Sequence, residues 1–174
     1  MFSKFRVKIA ALMILALVLI VAGCSSGTSG TTTTQTGAAA VGGRIKATWI
    51  TPKVVLDTVS VPAQVINQDT IVHFWVTIPE GQMPFMAYKL DNKQYVRANL
   101  CVPCRSYNYS LVGDVLQCDT CGTRFNAKTG DGIDGACVNY PKALVPYTNQ
   151  GGDLAMTVAD AKTSYFNTLE PGWP

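Results

Sequence analysis

Cys101-Val102-Pro103-Cys104 and Cys118-Asp119-Thr120-Cys121 are two Cys-x-x-Cys pairs separated by thirteen residues. A two-residue gap lets both sulfurs of a pair face one ion, and a hairpin-length connection can bring the second pair round to complete a tetrahedral S4 site. Gly122 follows the second pair directly, where a knuckle turns tightly and its N–H groups can face the sulfurs. The pattern points to a four-thiolate metal site at Cys101, Cys104, Cys118 and Cys121. Spacing alone leaves three chemistries open: structural zinc, an iron–sulfur centre and thiol redox.

Other residues capable of chemistry are weaker candidates. Cys137, in Gly135-Ala136-Cys137, can be a buried small residue, a spare or exchanged ligand, or a redox partner. The single histidine, His73, falls in Ile71-Val72-His73-Phe74-Trp75-Val76 and reads as a part-buried strand residue. A sharper reading combines it with Met83 and Met86 as a soft copper site, although core and loop packing explains those methionines more simply. One histidine cannot furnish the two imidazoles of a Rieske centre. Asp114, Asp119, Asp131 and Asp134 read as turn residues. No nucleophile–base pair, phosphate loop or carboxylate dyad supports hydrolase or transferase chemistry. A thioredoxin-like site expects one Cys-x-x-Cys opening a helix beside a βαβ pattern, which this sequence does not present.

The elements available to position the cysteines read as β-strands. Segments 45–50, 54–61, 70–78, 85–90, 94–100, 110–116 and 143–147 are short, rich in β-branched and aromatic residues, and bounded by turn formers. Asp91-Asn92-Lys93 predicts a hairpin turn, and Gly113-Asp114 predicts a tight reversal between the two cysteine pairs. Before Gly151 no segment carries a helical period, and 158–167 reads as a short terminal helix or a surface wrap. The expected fold is all-β, a small sandwich or barrel with a Rieske-like or zinc-ribbon-like pair of metal-binding loops.

The N-terminus bears on where such a site works. Lys4, Arg6 and Lys8 precede an apolar run from Ile9 to Val21, followed by Ala22-Gly23-Cys24. Basic flank, short apolar core and small residues describe a secretory signal, and thirteen apolar residues are few for a membrane span. Cys24 after small residues resembles the lipidated cysteine of bacterial lipoproteins. Residues 1–23 read as a lipoprotein signal, with an uncleaved anchor helix as the alternative, and 24–43 as the lipidated Cys24 with a Ser/Thr/Gly linker reaching about 25 Å. Residues 44–174 read as the β-domain. Beyond the signal, eleven basic residues balance eleven acidic ones. That balance gives no footprint for nucleic acid.

Three runs together carry a family resemblance: Tyr95 to Cys104, Gly113 to Asn126, and Gly135-Ala136-Cys137. The chain resembles the FtrD-like membrane iron–sulfur family, associated with bacterial ferrous-iron transport. Thr70 to Trp75 and Phe85 to Lys93 are also similar to that family's β region. The stretch Cys121 to Gly130, leading on to Pro141 and Tyr147, is similar to the second half of Rieske-type loops, with Cys121 where those carry histidine. The resemblance implies Cys101, Cys104, Cys118 and Cys121 as cluster ligands, with Cys137 as a further family cysteine, and it ranks iron–sulfur, as [2Fe–2S], above zinc. Members often carry several transmembrane helices, whereas this chain shows only a lipid-type anchor.

The resulting expectation is an extracytoplasmic, lipid-anchored electron carrier with no substrate of its own. Its expected partner is a membrane redox protein or iron permease, in iron uptake or anaerobic respiration. The alternatives are a zinc-stabilised or metal-carrying module, including one that delivers iron or copper, and a thiol–disulfide oxidoreductase.

Overall fold

The computed structural model describes residues 43–172; the expected signal, Cys24 and nearly all of the linker lie outside the described residues. The described chain begins with β1 (Arg44–Lys46), β2 (Thr48–Trp49), β3 (Lys53–Val55) and β4 (Thr58–Pro62), then a short helix α1 (Ala63–Asp69). The long strands β5 (Ile71–Ile78), β6 (Gly81–Leu90) and β7 (Lys93–Ala98) follow. After the first cysteine pair come β8 (Tyr109–Val112), β9 (Val115–Cys118), β10 (Arg124–Asn126) and β11 (Gly132–Asp134). A hairpin of β12 (Thr148–Gln150) and β13 (Asp153–Thr157) leads into α2 (Val158–Leu169).

These strands form three sheets, ordered β2-β5-β6-β7, β12-β13-β4-β3 and β1-β8-β9-β10-β11. The all-β expectation holds, with a third sheet added to the simple sandwich. The first sheet is apolar on both faces. Val72, Phe74, Val76, Phe85, Ala87 and Val96 enter one core with Val59, Val61, Leu154 and Met156 of the second sheet. The alternate residues Ile71, Met86, Tyr88 and Tyr95 enter another with Tyr109, Leu111, Leu116 and Phe125 of the third. A strand buried on both sides reads as a continuous apolar run instead of an alternating one, which is the pattern of 71–76.

Local turn chemistry follows the expectation where turns are short. Asp91 and Asn92 have φ of 50° and 60°, the left-handed pair that a two-residue β6–β7 hairpin requires. Gly113, at φ 61°, turns β8 into β9. Four expectations change. The segment 45–50 is split, because β1 pairs with β8 while β2 pairs in parallel with β5 in a different sheet. The segment 54–61 folds back on itself, because β3 and β4 pair as a hairpin around Leu56 at φ 56°. The seven-residue helix α1 forms where no helix was expected, too short to show a period and held by Ile66, which is fully buried. Segment 143–147 is no strand: it makes one bridge to Arg97, while the Ala143 N–H turns to Thr168 Oγ1 on α2 at 3.0 Å. The terminal segment is helical as α2, and the Thr157 hydroxyl caps it by accepting from the Asp160 N–H at 2.9 Å.

Candidate metal centre

The two cysteine pairs come from two connections at the third sheet, one leading into β8 and one joining β9 to β10. Cys101 and Cys104 lie in the β7–β8 connection, and Cys118, the last residue of β9, opens the β9–β10 loop that carries Cys121. Both loops close in the same way. The N–H of the first cysteine donates to the carbonyl five residues on, Cys101 to Ser106 O and Cys118 to Thr123 O, each at 2.9 Å. The residue after the second cysteine is left-handed in both, Arg105 at φ 54° and Gly122 at φ 74°. Glycine meets that demand without steric cost, whereas a residue bearing Cβ gives up roughly 1–2 kcal/mol there. The second knuckle was therefore the more visible in sequence.

Side chains then fasten one loop to the other. Thr120 Oγ1 donates to Ser106 Oγ at 2.8 Å, and the Asp119 N–H donates to Asn108 O at 2.9 Å. Asp119, expected as a plain turn residue, also accepts from Ser110 Oγ at 2.7 Å and from Arg44 Nη1 at 3.2 Å. Asn99 Nδ2 holds the first loop from inside by donating to Tyr107 O at 2.7 Å.

The result is a sulfur quartet. The Sγ atoms of Cys101, Cys104, Cys118 and Cys121 all lie within 4.8 Å of one another. Cys101–Cys121 is 3.7 Å and Cys104–Cys118 is 3.8 Å. A tetrahedron with metal–sulfur bonds near 2.3 Å has edges of about 3.8 Å, so these spacings are those of a single ion. A two-iron cluster would need the pairs to stand further apart. Cys101 and Cys118 are buried, Cys104 is half-buried and Cys121 is exposed, so one edge of the quartet faces solvent.

The electrostatics single out one thiolate in the quartet, Cys118. Cys118 is held down to about 4, first by the hydrogen bond it accepts from Cys101, with backbone N–H donors of its own knuckle adding to this. Cys101 is pushed up correspondingly by that bond and then by burial. Burial raises Cys104 to about 11. Tyr109 Oη is buried without a conventional partner and is turned towards Cys101, the position of a donor to a ligating sulfur. The donor set and this orphaned hydroxyl fit a thiolate-bound metal centre.

Cys137 joins the group as a fifth sulfur, 3.8 Å from Cys121 Sγ. It is buried, and its N–H donates to Thr123 Oγ1 at 3.2 Å. His73 takes no part. It lies on β5, edge-on to Trp49, with neither ring nitrogen hydrogen-bonded. Met83 and Met86 fall in opposite cores, so the three-residue copper site does not form. Thr123 and Tyr109 were invisible as site residues, since a Thr and a strand Tyr carry no spacing signal.

The family model for "Membrane iron-sulfur containing protein FtrD-like" matches residues 66–166, more than half the chain and all five of these cysteines. The chain belongs to the FtrD-like family. FtrD-like proteins are thus described as membrane iron–sulfur proteins, and among the described residues of this one no helix is long and apolar enough to cross a membrane. No curated protein matches the chain. Among solved structures, it is similar to a chain in the complex of reduced oxygenase and oxidized ferredoxin of carbazole 1,9a-dioxygenase. That match has 21% identity and a TM-score of 0.47, covering 59% of this chain and 92% of that one. It is also similar to the Sphingomonas yanoikuyae B1 ferredoxin, at 22% identity and TM-score 0.40, over 48% of this chain and 83% of that one.

Proposed function

We propose that this FtrD-like protein is an exported, membrane-tethered one-electron carrier whose iron–sulfur cluster is held by Cys101, Cys104, Cys118 and Cys121. One observation carries the reading: four cysteine sulfurs converge within 4.8 Å in a chain of an iron–sulfur family. A cluster held there would supply a one-electron couple, and in the finer reading, [2Fe–2S], the cysteine pairs would stand further apart than they do here. The protein's own part is to seal the inner edge with buried Cys101, Cys118 and Tyr109 and to leave the Cys121 edge open to a partner. A reacting surface formed by sulfur and loops suits electron exchange better than a reaction on a substrate.

The family's membrane description supports a membrane partner, and the FtrD-like resemblance supports an iron permease or its redox partner in that role. Anchoring is assigned to Cys24, through acylation after cleavage behind Gly23. Mass spectrometry of the mature N-terminus is expected to show a diacyl- or triacyl-cysteine; an intact Met1, or a chain beginning at Ser25, overturns the anchor. More than one acyl chain is needed, because a single chain holds a protein to membrane only marginally.

The second reading is a zinc-bound module, favoured by the 3.7 and 3.8 Å sulfur spacings of a single tetrahedral ion. Purification without oxygen, followed by metal and acid-labile sulfide analysis, separates the two. Iron with matching sulfide supports the carrier. Zinc without sulfide supports the module. Metal-free protein that cycles between dithiol and disulfide overturns both in favour of thiol redox.

A further inference from the structure

We propose that Lys142 is the counter-cation of the four-cysteine centre, a buried positive charge set against the negative charge that thiolate ligation builds there; this rests on the metal-centre reading above. Lys142 is 1% exposed, in a chain whose other lysines lie at or near the surface among the described residues. Its Nζ donates to a single acceptor, Leu100 O at 2.7 Å, the carbonyl directly before Cys101. The ammonium lies over the Phe125 ring at 4.5 Å from its centroid and 5.9 Å from that of Tyr109. Both rings share a core cluster with Cys101, Cys118 and Cys137.

Among the described residues no carboxylate pairs with it. An ammonium taken out of water and left unpaired is costly, and cation–π contacts return only part of that cost. The other buried cation, Arg97, is in a different position. Its guanidinium donates to Tyr88 Oη at 2.8 Å, Lys142 O at 2.6 Å and Lys128 O at 2.6 Å, so its donors are matched locally. Lys142 has one hydrogen-bond acceptor and two ring faces, and the sulfur group is the source of negative charge that acts on it. Burial lowers Lys142 to about 8, while Cys101, Cys137, Cys118 and Cys104 act in the opposite sense. Four thiolates outweigh a divalent ion by two charges, and a buried cation beside them lowers the cost of assembling that anion.

The charge has opposite effects on the two forms of the protein, and that distinguishes it from packing. In metal-free protein the cation meets less negative charge than with metal bound, when all four cysteines are thiolates. Three variants separate the contributions: Lys142→Met removes charge and hydrogen bond, Lys142→Gln keeps a donor without charge, and Lys142→Arg keeps charge. Zinc competition against a chromogenic chelator is expected to show at least tenfold weaker binding for Lys142→Met and Lys142→Gln, with Lys142→Arg closer to wild type. Urea unfolding in excess chelator is expected to show the Met variant at least as stable as wild type. If the wild type holds an iron centre, its midpoint potential is expected to fall by 59 mV or more in the Met variant, which is a tenfold change for one electron. Folded Met and Gln variants that bind zinc within twofold of wild type overturn the proposal. So does equal destabilisation of metal-free and metal-bound Met variant, which marks a packing role. Wild-type protein that binds neither zinc nor iron overturns the metal centre and the counter-cation together, whereas normal metal binding in every variant overturns the counter-cation alone.

Discussion

Cys121 and Cys137 stand Sγ to Sγ at 3.8 Å, with Thr123 Oγ1 between their loops, 3.2 Å from Cys121 Sγ and 3.2 Å from the Cys137 N–H that donates to it. Cys121 is as close to this fifth sulfur as to Cys101, at 3.7 Å. Cys137 is therefore placed to replace Cys121, with Cys101 as its other neighbour in the quartet. Cys104→Ser is expected to empty the site, Cys137→Ser to keep it loaded, and Cys121→Ser to keep a reduced but measurable share. The double variant Cys121→Ser/Cys137→Ser is expected to lose that share. Metal content per chain is the measurement, and equal loading of the single Cys121→Ser and the double variant contradicts the substitution.

The approach of that fifth sulfur depends on Gly135. A Cβ there would lie 2.6 Å from Thr123 Cα and 2.7 Å from Thr123 Oγ1, on a backbone at φ +107°. Neither contact can relax through a flexible side-chain tip. Gly135→Ala is expected to cost about 2–4 kcal/mol, by urea midpoint at constant m-value. It should also release Cys137, so that thiol labelling at this residue becomes faster than in wild type.

His73 gives the fold a pH dependence of known sign. Burial lowers it from 6.5 to about 3, so the folded protein keeps it neutral while the unfolded chain takes up a proton below about 6.5. Its contribution is fully present above pH 6.5 and is lost progressively as pH falls towards 3. Each unit of that window is worth about 1.4 kcal/mol, so roughly 2 kcal/mol is expected to disappear between pH 7 and 5. His73→Leu removes the titrating group and two unpartnered ring nitrogens, and its stability should fall less over the same interval. Parallel urea curves at both pH values test this, and equal slopes for the two proteins refute it.

The ligand chemistry sets an electrochemical expectation. Replacing the two imidazoles of a Rieske centre by thiolates makes the cluster more negative and stabilises its oxidised form. Rieske centres span about −150 to +300 mV, and plant-type clusters with four cysteines lie near −400 mV. This protein is expected below about −150 mV, with little change between about pH 5 and 7, since no histidine belongs to the quartet. Such a couple suits donation of electrons to an acceptor. Protein-film voltammetry is the measurement, and a potential well above zero with a pH-dependent slope contradicts the four-thiolate ligand set.

What the sequence by itself determined was whatever depends on a few consecutive residues. The Cys-x-x-Cys spacing marks two knuckles because two intervening residues govern whether neighbouring sulfurs can share an ion. Asp91-Asn92 and Gly113 mark hairpins because left-handed backbone selects those residue types. The apolar run 71–76 marked a strand, and its lack of alternation already carried the fact that both faces are covered. Tertiary structure decided the rest. Residues 44–49 pass from one sheet to another at Ala47, which no local preference encodes. Met83 and Met86 part into opposite cores because an odd spacing on a strand points side chains opposite ways. Cys137 reaches Cys121 only because β10 and β11 pair and Gly135 admits Thr123. Lys142, an ordinary loop lysine in sequence, becomes a buried cation because the chain after Pro141 passes beneath Phe125 and Tyr109. Burial and charge compensation are sums over many distant neighbours, so they come into being only when the sheets close around the cysteines.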